Sequence, residues 1–308
     1  EKAREDIIMQ IAKLYYLIQN TTEQITIISD NLKRFEELRN FAQAFYDNQM
    51  ALAVDLKRIN VRIESTDVSL ANAKAMLREQ YNMLKYAMDY PADEDIVVDV
   101  KKVDNINMAV QSGLNVNLYE LQLMRTQEKL TEQQVKLAKD AYLPTVALTG
   151  NFTFTAYTDK FKNWFHSGES NHWYDSNGLG ITLRVPVFDG FEKRSKIRKA
   201  KIDADNARIA YENTLKNLQT QYSNAVNDLM NNERNYRKQR DNYRLAEDIY
   251  KVTMDRYREG VTSMVEVLQD EMSMSEAQNN YLTAHYNYEV SNLAVLKLTG
   301  TLGSLMGN

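Results

Sequence analysis

Cysteine is absent from all 308 residues. That excludes disulfide staples, thiolate metal sites and cysteine nucleophiles, and leaves the redox state of the compartment open. Three prolines and ten glycines are few for this length, so long stretches carry nothing that breaks a helix. Histidine occurs only at His166, His172 and His285, which leaves little material for acid–base chemistry near neutral pH. No run of eighteen apolar residues exists, so no segment reads as a transmembrane helix, although a β-barrel needs no such run. The formal charge is only −4, with 38 basic and 42 acidic residues interspersed, and no field of one sign recruits nucleic acid. Ser-His-Asp, zinc-protease, P-loop and dinucleotide-binding patterns are missing too. These absences point away from an enzyme, and neither a cofactor nor a metal site is expected.

What is present is a heptad. From Ile7, the apolar positions fall in two interleaved series seven apart, Ile7, Leu14, Thr21, Ile28, Phe35 and Ala42 against Ile11, Ile18, Ile25, Leu32, Arg39 and Tyr46, the seam of a coiled coil. After a break near 47–51 a second seam runs through Leu56, Ile63, Leu70, Leu77 and Leu84 toward Pro91, predicting two antiparallel helices. The C-terminal part has the same plan with tyrosine in place of Ile and Leu: Tyr222, Tyr236, Tyr243, Tyr250 and Tyr257. Sliding the chain by 211 residues places Asp30-Asn31 on Asp241-Asn242, Tyr46 on Tyr257 and Ala73 on Ala284. Two tandem copies of one unit account for this. A helix from about Phe191 to Glu259 would be roughly 100 Å long, and for the helices alone a purely structural coiled coil explains the pattern as well.

Residues 145–157 have a different period. Val146, Leu148, Gly150, Phe152, Phe154 and Ala156 alternate with threonine, asparagine and tyrosine, Ala147 being the exception, and Leu179, Ile181, Leu183, Val185 and Val187 form a second alternating run after a polar loop. An apolar face backed by threonine, with Trp164, Phe165, Trp173 and Tyr174 between the runs, is the pattern of a barrel wall in a membrane; alternation alone is also compatible with strands covering a soluble core. Two strands cannot close a barrel, so further strands must come from elsewhere. The expected fold is mainly α: long antiparallel coiled-coil hairpins with one β-hairpin. Its divisions are a helical hairpin at 1–90, a linker at 91–112, a helix at 113–143, a β-hairpin at 144–189 with its loop at 158–177, and a second helical hairpin at 190–302.

Four segments in this order, "YLPTVALTG" (Tyr142 to Gly150), "LRVPVFDG" (Leu183 to Gly190), "YREGVTSMVEVLQDE" (Tyr257 to Glu271) and "LTGTL" (Leu298 to Leu302), carry a likeness to a family. Over nearly its whole length the chain resembles the TolC family of outer-membrane efflux and secretion channels. The resemblance implies a homotrimer whose β-hairpins form a transmembrane barrel in outer-membrane lipid. Beneath it a helical tunnel, the α-barrel, extends into the periplasm toward an adaptor protein and an inner-membrane pump. It also implies that the first repeat lacks its leading helix and its own β-hairpin, since Glu1 corresponds to Glu212.

In such channels the helix-hairpin tips close the tunnel. The implied tip residues are Tyr257, Gly260, Thr262, Glu266, Gln269, Asp270 and Glu271 in the second repeat, and Tyr46, Asp47 and Asp55 in the first. Thr262 stands where the family has a basic residue and Gln269 where it has a second acid. Glu266 and Asp270 form an acidic ring in one reading and ordinary solvated charges in the other. Gly260 suits a reversal at positive φ; Gln49 occupies the matching position, so the first tip is expected to turn differently. Val146, Leu148, Phe152, Phe154, Ile181, Leu183, Val185 and Val187 are the expected membrane-facing side chains. Lys193, Arg194, Lys196, Arg198, Lys199 and Lys201 open a helix, where the dipole disfavours cations; a lipid-facing and a merely solubilising role both fit. His166 and His172 with Asp159, Glu169 and Asp175 read as a polar loop rather than a metal site.

Overall fold

The computed structural model describes residues 2–98, 113–158, 161 and 171–303. In chain order it contains α1 (Lys2–Asp47), α2 (Ala53–Ala87), α3 (Tyr119–Asp140), β1 (Thr145–Thr158), β2 (Asn171–Arg184), α4 (Glu192–Arg258) and α5 (Met264–Leu298). They group into two compact units, one of Glu1–Leu121 with Leu215–Asn308 and one of Gln122–Thr214.

The helices form where good helix formers run unbroken, and their exposed faces are tied by acid-to-base pairs four residues apart. Glu192–Lys196 at 2.6 Å and Glu247–Lys251 at 3.1 Å are two such pairs. The first unit is held by burial. Phe35, Leu38 and Ala42 of α1, Ile59 of α2, Tyr250, Met254 and Tyr257 of α4, and Met264, Val267 and Met274 of α5 form one core cluster. Each large side chain sealed there contributes about 1.5–3 kcal/mol. In α1 the second heptad series is displaced by one residue: Asn31 and Leu38 are buried and Phe45 is partly so, while Arg39 and Tyr46 are exposed. An α-helix drifts against a strict seven-residue repeat, and α1 packs on both α2 and α5, so the buried stripe widens beyond a two-helix seam.

The duplication is visible in the helix ends. Adding 211 to the bounds of α2 gives those of α5, and the last residue of α1 maps onto the last of α4. The turn after α1 corrects the expectation for the first tip. Gln49 has φ 59° where Gly260 has φ 76°. Met50 N donates to Phe45 O at 2.8 Å, as Val261 N donates to Arg256 O at 2.9 Å. Both helices therefore end in the same left-handed cap, and Gln49 adopts it because the hydrogen-bond pattern, not the residue type, fixes the turn.

In the second unit β1 and β2 pair antiparallel without a bulge, from Thr145 opposite Arg184 to Thr158 opposite Asn171. Two expectations are corrected. Residues 171–177 are strand rather than loop, so Trp173 and Tyr174 lie in β2. Val185 and Val187 lie beyond it. Pro144 precedes β1 and has no N–H to donate, so the ladder ends at Arg184 although the alternation continues.

Candidate functional site

The tips of the two helical hairpins lie in the first unit. Leu52 precedes α2 with no side-chain cap, whereas Ser263 accepts a hydrogen bond from Glu266 N at the start of α5. Tyr257 and Tyr46 hold equivalent repeat positions but not equivalent surroundings. Tyr257 is 5% exposed and Tyr46 43%. The Tyr257 ring lies 5.5 Å from that of Phe45, and burial first, then the charge of Asp55, pushes its hydroxyl above the usual phenol range. Its oxygen has no hydrogen-bond partner among the described residues.

The acidic residues divide into three kinds. Glu266 is exposed and accepts from Thr262, and Gln269 beside it is exposed as well. Asp270, half-buried, accepts from Thr253 at 2.6 Å. Glu271 points into the bundle with its side chain 5% exposed, 3.1 Å from the Arg62 guanidinium. Burial raises its pKa, and Arg62 and Arg34 oppose that rise. At the first tip, Asp47 accepts from Gln43 at 2.8 Å and Asp55 pairs with Arg58 at 3.1 Å. The structure thus draws Tyr257 and Asp55 together, leaves Tyr46, Glu266 and Gln269 toward solvent, and separates Glu271 from its acidic neighbours.

A buried polar layer joining the repeats was not legible as a site. Asn31 donates to Gln278 at 3.3 Å, Gln278 donates to the Tyr243 hydroxyl at 3.3 Å, and Arg34 bonds Asn31. Asn31 and Gln278, with Arg62 and Glu271, border a cleft of about 230 Å³ that Ser65, Thr66, Ser69 and Ser275 also line. The available signal was Asn31, a polar residue beside an apolar seam, the device by which coiled coils fix register. A second buried polar group joins α1, α4 and α5. Glu289 is 4% exposed, and Tyr16 donates to it. His285 lies 3.8 Å away and stacks on Tyr236 with ring centroids 5.0 Å apart.

In the second unit the strand register sets the faces, because directly opposed residues share one side of a sheet. Val146 faces Leu183, Leu148 faces Ile181 and Gly150 faces Leu179. Farther along, Phe152 and Phe154 meet Asn177 and Asp175, and Ala156 meets Trp173. Val146, Leu148, Phe152, Phe154, Ile181 and Leu183 are all between 62% and 78% exposed. A continuous apolar band of this kind, bounded by a carboxylate and a tryptophan, is stable in lipid or against another protein surface. No helix among the described residues is long and apolar enough to cross a membrane. His166, Glu169 and Asp159 lie outside the described residues. Among the described residues no three His, Asp or Glu side chains gather as metal ligands.

Comparison with known proteins gives this geometry a context. The family model described as outer membrane efflux protein matches residues 114–301. The outer membrane protein TolC of Salmonella enteritidis is 22% identical over 294 residues, covering 94% of this chain and 55% of that protein. The chain therefore spans little more than half the length of this relative. Among solved structures, the outer-membrane channel OprN superposes with TM-score 0.77 at 19% identity, over 96% of this chain and 66% of that one. The outer membrane protein VceC from Vibrio cholerae gives TM-score 0.74 at 18% identity, over 97% and 71%.

Proposed function

The chain belongs to the outer membrane efflux protein family, and from that membership we propose that it forms part of the wall of a passive export conduit in the bacterial outer membrane. Three copies of the complete protein surround the channel. The β-hairpin contributes to the shared barrel, and the helical hairpins form a tunnel extending into the periplasm. The conduit serves a tripartite efflux pump or a type I secretion system. Energy comes from an inner-membrane pump joined through a periplasmic adaptor, and the conduit itself performs no catalysis. The observation that carries this reading is the exposed apolar band of β1 and β2, in a chain that also has two helix-hairpin tips with equivalent turns.

The tips are the proposed gate. Glu266 is an exposed acid at the second tip, and with Asp270 of each copy it makes a ring that favours cations and is blocked by multivalent ones. The full-length protein reconstituted in a planar bilayer is expected to conduct ions. Glu266→Gln with Asp270→Asn is expected to weaken multivalent-cation block of the single-channel current. Unchanged block removes the ring. A full-length protein that stays in the aqueous fraction without detergent overturns the conduit and leaves a structural or adaptor-type periplasmic coiled-coil protein.

A further inference from the structure

The start of α4 carries more positive charge than its fold requires. Between Asp189 and Lys201 six basic residues meet two acids. Those acids are used locally: Asp189 accepts from Lys193 N at 3.0 Å and Glu192 pairs with Lys196 at 2.6 Å. Lys193 also lies 5.5 Å above the ring of Tyr142, which places the end of α3 beside the first turn of α4. Downstream, Asp205 is taken by Arg208 at 3.4 Å. Arg194, Arg198, Lys199 and Lys201 remain, all exposed, with no carboxylate partner among the described residues. Arg194 lies in the first turn of α4, where the helix dipole repels cations, and the other three lie beyond the reach of that dipole and gain nothing from it, so helix stability does not explain them.

Their surroundings do. Between the strands and this basic turn lie Phe188, 77% exposed, Phe191, 63%, and Tyr142, 50%; Phe188 and Phe191 meet edge to face at 5.7 Å. Along the chain the order is apolar strand face, exposed aromatics, then unpaired cations. A bilayer leaflet presents acyl chains, then the interface, then phosphates in that order. Residues 194, 198 and 201 are spaced i, i+4, i+7 and so form one stripe on the helix.

We propose that Arg194, Arg198, Lys199 and Lys201 form a basic collar that binds the phosphates of anionic phospholipids in the leaflet from which α3 and α4 leave the membrane. This rests on the hairpin spanning that membrane. The collar holds the protein at a fixed depth, since the strand band sets the apolar thickness and the collar sets the headgroup plane on one side. Each cation near a lipid surface multiplies affinity about five-fold, so losing all four is a large effect.

The test uses full-length protein reconstituted in vesicles of phosphatidylethanolamine mixed with phosphatidylglycerol, with the retained lipid identified by native mass spectrometry. The wild type is expected to retain phosphatidylglycerol over phosphatidylethanolamine. The combined Arg194→Gln, Arg198→Gln, Lys199→Gln, Lys201→Gln variant is expected to insert equally well and lose that preference at least ten-fold. Arg194→Lys with Arg198→Lys is expected to keep it. Insertion with no lipid preference in the wild type, or an unchanged preference in the glutamine variant, overturns the collar alone. Failure of the wild type to insert overturns the collar and the membrane-spanning hairpin together.

Discussion

Glu289 shows how a single residue links packing to pH. Desolvation is the larger effect on it and the Tyr16 hydroxyl the smaller, and together they leave its pKa at about 7. Over the interval from its ordinary 4.5 up to about 7, the folded chain holds a proton that the unfolded chain has released. Stability from this group therefore falls as pH rises through that interval and is level above it. His285, lowered by burial, acts in the opposite sense, losing stability as pH falls below its ordinary 6.5. Glu289→Gln is expected to raise the thermal midpoint at pH 8 and leave it nearly unchanged at pH 4.5; equal shifts at both pH values refute the assignment. Arg62 carries a different burden. Arg62→Ala leaves the Glu271 carboxylate buried with Arg34 as its remaining cation, at a cost on the order of 3 kcal/mol. Because the pKa of Glu271 is already raised, the loss in denaturant unfolding is expected to shrink as pH falls and the carboxyl takes up a proton. Neither contact was legible in the sequence, because burial and the meeting of residues far apart in the chain, 209 residues for Arg62 and Glu271, are properties of packing and not of spacing.

At the scale of elements, the repeat is clearest where the chain turns. A non-glycine residue in the left-handed region costs roughly 1 kcal/mol. Gln49→Gly is therefore expected to stabilise the first turn by about that much, and Gly260→Ala to destabilise the second by a similar amount, both read from denaturant midpoints. The hairpin offers a comparison between faces. Leu148 opposes Ile181 in the apolar band, while Thr149 opposes Gly180 on the other side. Leu148→Arg is expected to cost about 2–4 kcal/mol in lipid and deplete the full-length protein from the membrane fraction, whereas Thr149→Arg leaves it there. Equal loss for both means that the band does not face lipid. The alternation of β1 was plain in the sequence. The first half of β2, Asn171–Gly178, was not, because its residues are mostly polar and only pairing with β1 makes them strand. Val185 and Val187 erred the other way, since alternation continues where no partner strand does.

For the whole molecule, the measurable consequence is assembly. Exposed apolar residues recur on α2 at Val54, Val61 and Val68, seven apart, a seam with no partner among the described residues and suited to a neighbouring helix. Light scattering of the full-length protein in detergent is expected to give three copies, and a monomer contradicts the proposed tunnel. The sequence by itself determined that the chain is mainly helical, that it is duplicated, and that one segment alternates with period two, because these are periodicities carried by local residue order. It did not determine which seam residues are buried, as the displacement from Arg39 to Leu38 shows, nor that Gln49 adopts the turn of Gly260. It did not indicate that Glu271 turns inward to Arg62 while Glu266 stays in solvent. Those outcomes belong to the tertiary structure, because each depends on which helix lies alongside, and heptad spacing specifies a contact face without specifying the partner that fills it.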